Sequence, residues 1–364
     1  MKKAVLLVNL GTPDAPHTPE VRRYLKEFLL DGRVIDIPAL SRWLLVNLII
    51  APFRAPRSAK AYRKLWTAEG SPLKVYGERL KTLLQDALGE DYEVYLAMRY
   101  QNPSMRSILA QIQQKAYEQI ILLPLFPQYA SATSGSVIQK FYDETRHWQA
   151  FPSISIVSYF YNHPAFVQAL ASRARPYIEA DRYDYFVFSY HGVPVRQIQK
   201  ADLHGCCLQT EDKKVAGCCS RLHEQNQYCY RAQCFATTRL LAEALQLPAE
   251  RCITAFQSRL GKAEWIQPYT EDVIRQLAEQ GAKKVLAFSP AFIADCLETT
   301  IEVGEEYKEL FEALGGEKWV LVESLNDHAS WVEALRQIVT EATLNISRQT
   351  VPTQATTVTN QTTA

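Results

Sequence analysis

Tyr185-Phe186-Val187-Phe188-Ser189-Tyr190-His191-Gly192-Val193-Pro194 runs from a short aromatic and β-branched stretch into a histidine, a glycine and a proline. It reads as a strand over 184–190 whose carboxyl end presents His191, with Gly192 beside it giving access. Near the amino terminus, Ala4-Val5-Leu6-Leu7-Val8-Asn9-Leu10-Gly11-Thr12-Pro13 has the same form. Two further stretches echo one another: Ile121–Phe126, with Leu-Pro-Leu-Phe, and Leu286–Phe292, with Ser-Pro-Ala-Phe. Met98-Arg99-Tyr100 holds the place in the first half that Phe256-Gln257-Ser258 holds in the second. The echo fits two similar α/β units facing each other across a cleft.

Working outward, strands are expected near 4–10, 92–98, 118–123, 154–159, 184–190, 251–256, 284–289 and 318–323. Helical patterns lie between them, near 18–30, 73–88, 104–116, 135–147, 165–180, 235–246, 269–280, 298–314 and 329–341. Strands alternating with helices of this length indicate parallel sheets covered on both faces. The expected division is a first α/β domain over 1–163, a second over 164–326 and a closing helix over 327–344. Residues 345–364, rich in Thr and Gln, have too few apolar groups to offset their ordering entropy and read as a disordered tail.

The 364 residues are 47% hydrophobic and 22% charged, with a net charge of +1, so no global field recruits nucleic acid. The apolar run after Lys2-Lys3 is short and meets Gly11-Thr12-Pro13 rather than a small-residue cleavage site, which favours a buried strand over a signal peptide. The longest apolar run elsewhere, Trp43–Phe53, is broken by Asn47 and Pro52 and is too short to span a bilayer. A soluble, cytoplasmic protein is expected.

In parallel α/β sheets a ligand sits at the carboxyl ends of the strands. His191 lies at such an end, suited to act as a base or metal ligand, although a histidine satisfying a turn would look the same. Asp295-Cys296-Leu297-Glu298 follows the strand near 284–289, and Glu298, Glu302, Glu305 and Glu309 recur along the helix behind it. On α-helical spacing these four share one face, opposite a packing stripe of Val303, Tyr307, Leu310 and Leu314. Glu305 and Glu309 read as a solvated face, whereas Asp295 and Glu298 sit where the cleft should open. An imidazole and two carboxylates at equivalent strand ends suit proton transfer or metal handling.

Several motifs then resemble the bacterial ferrochelatases, in the right order and spacing from about residue 4 to 340. They are Leu6–Pro13, Pro127-Gln128-Tyr129-Ala130-Ser131-Ala132-Thr133-Ser134-Gly135-Ser136, Ser189–Pro194, Phe256-Gln257-Ser258-Arg259 and Ala294–Thr299. The resemblance implies two Rossmann-like, chelatase-type domains with parallel sheets, and insertion of Fe²⁺ into protoporphyrin IX as the last step of haem synthesis. It implies that His191 and Glu298 face each other across the porphyrin centre. Asp295 would orient His191 or extend the acidic path, and Glu302 and Glu305 would relay metal or protons. Leu10, Arg99, Tyr129 and Trp265 match pocket-wall positions. Trp43–Phe53, with Arg42, Arg54 and Arg57, reads either as a greasy lip making transient contact with the membrane surface or as a buried helix. A chelatase for another tetrapyrrole or metal, or a non-catalytic iron–sulfur protein on this scaffold, would carry the same motifs.

Six of eight cysteines fall in an insertion over about 200–234: Cys206, Cys207, Cys218, Cys219, Cys229 and Cys234. The segment is too polar to build a core, and a cytoplasmic chain does not rely on disulfides, which leaves a metal as the staple. Spacing does not decide between Zn²⁺ and a [2Fe–2S] cluster, because no C-x₂-C pair is present. Some ferrochelatases hold a [2Fe–2S] cluster with cysteines of an internal segment, which this one resembles. Adjacent cysteines tend to point apart, so each pair should give one ligand: Cys206 or Cys207, Cys218 or Cys219, then Cys229 and Cys234, with Cys207, Cys219, Cys229 and Cys234 taken as the expected set.

Overall fold

The structure, a computed structural model, describes residues 2–205, 217–259, 261 and 263–343. Eight strands form two parallel sheets: β1 Lys3–Gly11, β2 Tyr92–Tyr100, β3 Gln119–Pro124, β4 Ser153–Ile156, β5 Tyr185–His191, β6 Cys252–Gln257, β7 Lys284–Phe288 and β8 Lys318–Leu321. Their spatial orders are β2-β1-β3-β4 and β6-β5-β7-β8, one topology used twice. Each expected strand is present. Burial explains why they were legible: β1 and β3 are covered on both faces, so apolar residues occupy nearly every position.

Successive residues divide between two layers. Val5, Leu7, Leu96, Ile121 and Leu123 face the helices Pro72–Leu88 and Ala329–Glu341, while Leu6, Val8, Ala97 and Leu122 face Met105–Gln113 and Ser136–Thr145. The second sheet repeats the pattern, with Phe186, Phe188 and Tyr190 on one face and Val187, Ala255 and Val285 on the other. The closing helix Ala329–Glu341 returns to the first domain, where fully buried Trp331 packs against Phe160 and Phe166. Helix Pro164–Ala180 contributes Phe166 and Ala169 to that core and Ala171 and Ala174 to the second.

Two regions differ from the expectation. Residues 39–65 are helical throughout, as Ala39–Leu44, a π-helical stretch Leu45–Ile50 and Ala51–Leu65. Pro52 lacks an N–H and reads as a break, yet the chain runs on from the π segment into Ala51–Leu65, which also contains Pro56. One side of this helix buries Val46, Ala55, Ala59 and Tyr62, while Leu40, Trp43, Leu48, Ile49 and Phe53 are exposed. The buried-helix reading thus describes one face, and the other is an exposed apolar face. The helix expected over 298–314 is a π-helix over Leu297–Glu306 before it becomes α-helical at Tyr307–Ala313. Among the described residues no helix is long and apolar enough to cross a membrane. Cys206, Cys207 and the tail 345–364 lie outside the described residues.

Candidate active site

In the second sheet, β5 connects onward to β6 on one side and β7 to β8 on the other, which opens a crevice at their carboxyl ends. His191 closes β5 at this crevice. Its Nδ1 lies 2.6 Å from the Gly192 carbonyl oxygen. A carbonyl only accepts, so Nδ1 carries the proton in this contact, and of the two neutral tautomers it selects the one whose lone pair is on Nε2. The ring lies 6.4 Å from Trp265 and 6.4 Å from Phe292, centroid to centroid. Gly192 is required by crowding, because a Cβ there would meet the Gln257 carbonyl oxygen at 2.9 Å and the Trp265 ring at 3.2 Å. Tyr230 OH donates to the His191 carbonyl at 2.8 Å and so ties this strand end to the cysteine-rich segment.

β7 leads through 289–296 into the π-helix that carries Glu298. Thr299 Oγ1 accepts from Cys296 N–H at 2.9 Å at the head of that helix. Asp295 does not reach the imidazole through any of these bonds. Its carboxylate accepts from Asn326 Nδ2 at 2.7 Å, Ser324 N–H at 3.3 Å and Thr299 Oγ1 at 3.4 Å, which anchors the turn before the helix. Glu298 has its main-chain carbonyl held by Gln257 Nε2 at 3.0 Å.

Glu302 is more deeply engaged than its sequence position suggested. Its carboxylate accepts from Ser258 Oγ at 2.5 Å and Tyr307 OH at 3.1 Å. Residues five apart do not meet on an α-helix, and the π winding is what brings Tyr307 over Glu302. Burial raises the Glu302 carboxyl above its usual range, Glu298 adds to the rise, and Ser258, His191 and Tyr307 oppose it. Ser258 adopts φ 66°, a left-handed conformation costly for a serine, which aims its hydroxyl at Glu302. Glu305 is exposed and pairs with Lys64 at 3.7 Å, and Glu309 is exposed as well.

Leu10, Arg99 and Tyr129, the expected wall positions, stand in and after strands of the first sheet. Leu10 is half-buried against the cluster that contains Tyr24 and Tyr62, and Leu297 packs on the same cluster. Burial, then the Glu298 carboxylate, pushes the Tyr24 hydroxyl well above its ordinary value. Arg99 donates to Asp31 at 2.5 Å and to Ser136 Oγ at 2.7 Å, and lies 4.5 Å over the Tyr100 ring. Burial alone would raise the Asp31 carboxyl, but the Ser136 hydroxyl, Arg33 N–H and Arg99 hold it below its usual range. Tyr129 donates its main-chain N–H to Gln233 Oε1 at 2.7 Å. Its hydroxyl and Arg33 occupy the space that a Cβ on Gly135 would fill. Arg33 was missed in the sequence, where nothing sets it apart from other surface arginines. Asp36 joins the domains, accepting from Arg196 at 2.6 Å and Lys200 at 2.8 Å.

Of the expected thiol set, Cys219, Cys229 and Cys234 are buried and adjoin one another, and the Sγ of Cys218 lies 3.9 Å from that of Cys219. The Cys229 thiol and burial push Cys219 up, and burial does the same to Cys234, with Cys229 and Cys219 adding to it. Soft donors are thus gathered, with Cys207 outside the described residues. Among the described residues no three His, Cys, Asp or Glu side chains already stand in an arrangement to hold a metal ion.

Comparison with known proteins bears on this site. Residues 2–343 match the family model for ferrochelatase. The chain is 45% identical over 341 residues to the ferrochelatase of Legionella pneumophila (strain Lens), covering 94% of this chain and 99% of that one. It is 43% identical over 337 residues to the ferrochelatase of Coxiella burnetii (strain Dugway 5J108-111), covering 93% of each. Among solved structures, SirB from Bacillus subtilis with Fe³⁺ aligns with a TM-score of 0.51 at 14% identity, over 95% of this chain and 97% of that one, a likeness of fold.

Proposed function

The chain belongs to the ferrochelatase family, and on that premise we propose that His191 and Glu298 carry out the proton and metal chemistry of its reaction. That reaction is the insertion of ferrous iron into protoporphyrin IX, with loss of two protons, and the enzyme is a lyase. The observation that carries the assignment is the Nδ1–H bond of His191 to Gly192, which leaves Nε2 as the ring's acceptor at the carboxyl end of β5. Nε2 takes a pyrrole proton as the nitrogens of the macrocycle turn to the metal. Glu298 balances the charge of the incoming Fe²⁺ with a borderline-hard oxygen ligand that holds the ion without trapping it. Glu302, whose raised affinity for protons suits a relay, passes charge toward exposed Glu305. Asp295 supports the pair by fixing the turn before Glu298 rather than by touching His191. Leu10, Arg99, Tyr129 and Trp265 wall the porphyrin, Arg99 with its charge already matched by Asp31. Anaerobic Fe²⁺ insertion by Glu298→Gln tests the reading: turnover should fall by at least about 100-fold, and near-normal turnover would refute it.

We further propose a [2Fe–2S] cluster on Cys207, Cys219, Cys229 and Cys234, with zinc as the competing occupant. The gathered, buried thiols support it, and a bound cluster would supply a rigid cross-link behind the His191 loop through Tyr230. Iron and acid-labile sulfide near two each per chain, lost in Cys229→Ser, are expected; stoichiometric zinc in a colourless protein would contradict the cluster. A cytoplasmic location is proposed as well, with the apolar face of 39–53 resting on the membrane surface. Exposed Trp43, Leu48, Ile49 and Phe53 support that contact.

A further inference from the structure

We propose that Gln257 is a positioning residue that sets the spacing between His191 and Glu298, an inference resting on the catalytic reading of that pair. Gln257 ends β6 and stands opposite His191 in the parallel register. Its main-chain carbonyl accepts the Gly192 N–H at 2.8 Å, which fixes the residue after the imidazole. Its side-chain Nε2 donates to the Glu298 carbonyl at 3.0 Å, which fixes the first turn of the π-helix. One residue thus holds both catalytic backbones, one through its main chain and the other through its side chain.

The amide has a single workable orientation. The Glu298 carbonyl only accepts, so Nε2 must face it and Oε1 must face Ser189, whose Oγ donates at 2.6 Å. The Ser189 proton is then committed, and Thr270 Oγ1 at 2.9 Å donates to Ser189 in turn. Gln257 is 2% exposed, and Ser189 and Thr270 are each 0% exposed, so no water competes for these bonds. A buried polar chain with every member satisfied holds one geometry. The corresponding residue in the first sheet is Arg99. Met98 N–H bonds to the Pro103 carbonyl and Phe256 N–H to the Pro268 carbonyl, which puts Arg99 and Gln257 one step beyond equivalent points. Arg99 braces Asp31 and Ser136 in a wall, and Gln257 uses the same place to brace the reacting pair.

Steady-state Fe²⁺ insertion by two variants tests this. Gln257→Met keeps length and volume but loses the side-chain bonds. A misplacement of about 1 Å costs on the order of 100-fold, so kcat should fall roughly 10- to 100-fold while KM for the porphyrin stays within about twofold. Gln257→Glu supplies a rescue that a merely structural role would not give. Protonated, its carboxylic acid donates to the Glu298 carbonyl and accepts from Ser189; ionised, it sets an oxygen against an oxygen. Its kcat relative to the native enzyme should therefore rise as pH falls, whereas the Gln257→Met ratio stays flat. Should Gln257→Met fail to fold, Ser189→Ala carries the test with an expected several-fold loss of kcat, since it frees one end of the amide. Unchanged kcat in the folded Gln257→Met or Ser189→Ala, or a flat ratio for Gln257→Glu, overturns the proposal. Glu298→Gln run alongside separates the layers. If it collapses while Gln257→Met does not, the spacing role alone falls; if it turns over normally, the catalytic reading falls and takes the spacing role with it.

Discussion

The two halves of the molecule share a topology and differ in what they place at its crevice. At the carboxyl ends of β1 and β3 stand Leu10 and Tyr129, with Arg99 neutralised by Asp31 at 2.5 Å. At the same ends of β5 and β7 stand His191, its Nδ1 bonded to the Gly192 carbonyl, and a π-helix that carries Glu298 and Glu302. Beside the first sheet the Arg99 charge is matched internally; on the proposed reading that side serves as wall, and the second keeps an acceptor and two carboxylates for chemistry. A repeated scaffold therefore fixes where a site can form, and side-chain bonding decides which copy becomes reactive.

The contrast can be broken from the wall side first. Asp31 and Arg99 are 10% and 14% exposed, so Asp31→Leu leaves a buried guanidinium unmatched. Thermal or urea unfolding should record a loss of about 3–5 kcal/mol, the usual cost of breaking a buried pair. The depressed Asp31 pKa gives the sign of the pH effect. Its contribution is fully present above the ordinary aspartate value near ~3.9 and is lost as pH falls through the folded value. Native and Asp31→Leu proteins should accordingly converge in stability in acid; a gap that widened there would contradict the pairing. On the reactive side, Glu302→Gln should lower turnover several-fold yet raise the melting temperature at neutral pH, since it removes a carboxylate that burial resists ionising. Glu309→Gln, on the exposed α-helical end, should leave both within experimental error. Equal effects of Glu302→Gln and Glu309→Gln would erase the distinction between the two parts of that helix.

Much of this organisation was legible in the residues. Parallel strands covered on both faces leave unbroken apolar runs, and so all eight stood out. His191 and Glu298 followed from the rule that ligands gather at strand ends. A helix was one of two readings for Trp43–Phe53, with Asn47 and Pro52 read as breaks; its full extent over 39–65 emerges only with the packing of Ala55, Ala59 and Tyr62. The π winding at 297–306 changed which acids share a face, which 3.6-residue spacing could not reveal. Asp295 was visible as an acid near the cleft, but its partners Ser324 and Asn326 come from a turn about thirty residues away that only the fold brings near. The bonds made by Gln257 were equally hidden, for the motif names the residue and not the Glu298 carbonyl and Gly192 N–H it meets.

The central claim, that the second crevice is reactive because His191 Nε2 accepts a pyrrole proton, is tested most directly with His191→Ala. Porphyrin binding by fluorescence titration and Fe²⁺ insertion under anaerobic conditions are measured on the same preparation. The account predicts binding within about threefold of the native protein and insertion reduced by at least about 1,000-fold. Insertion near the native rate with binding intact would contradict it.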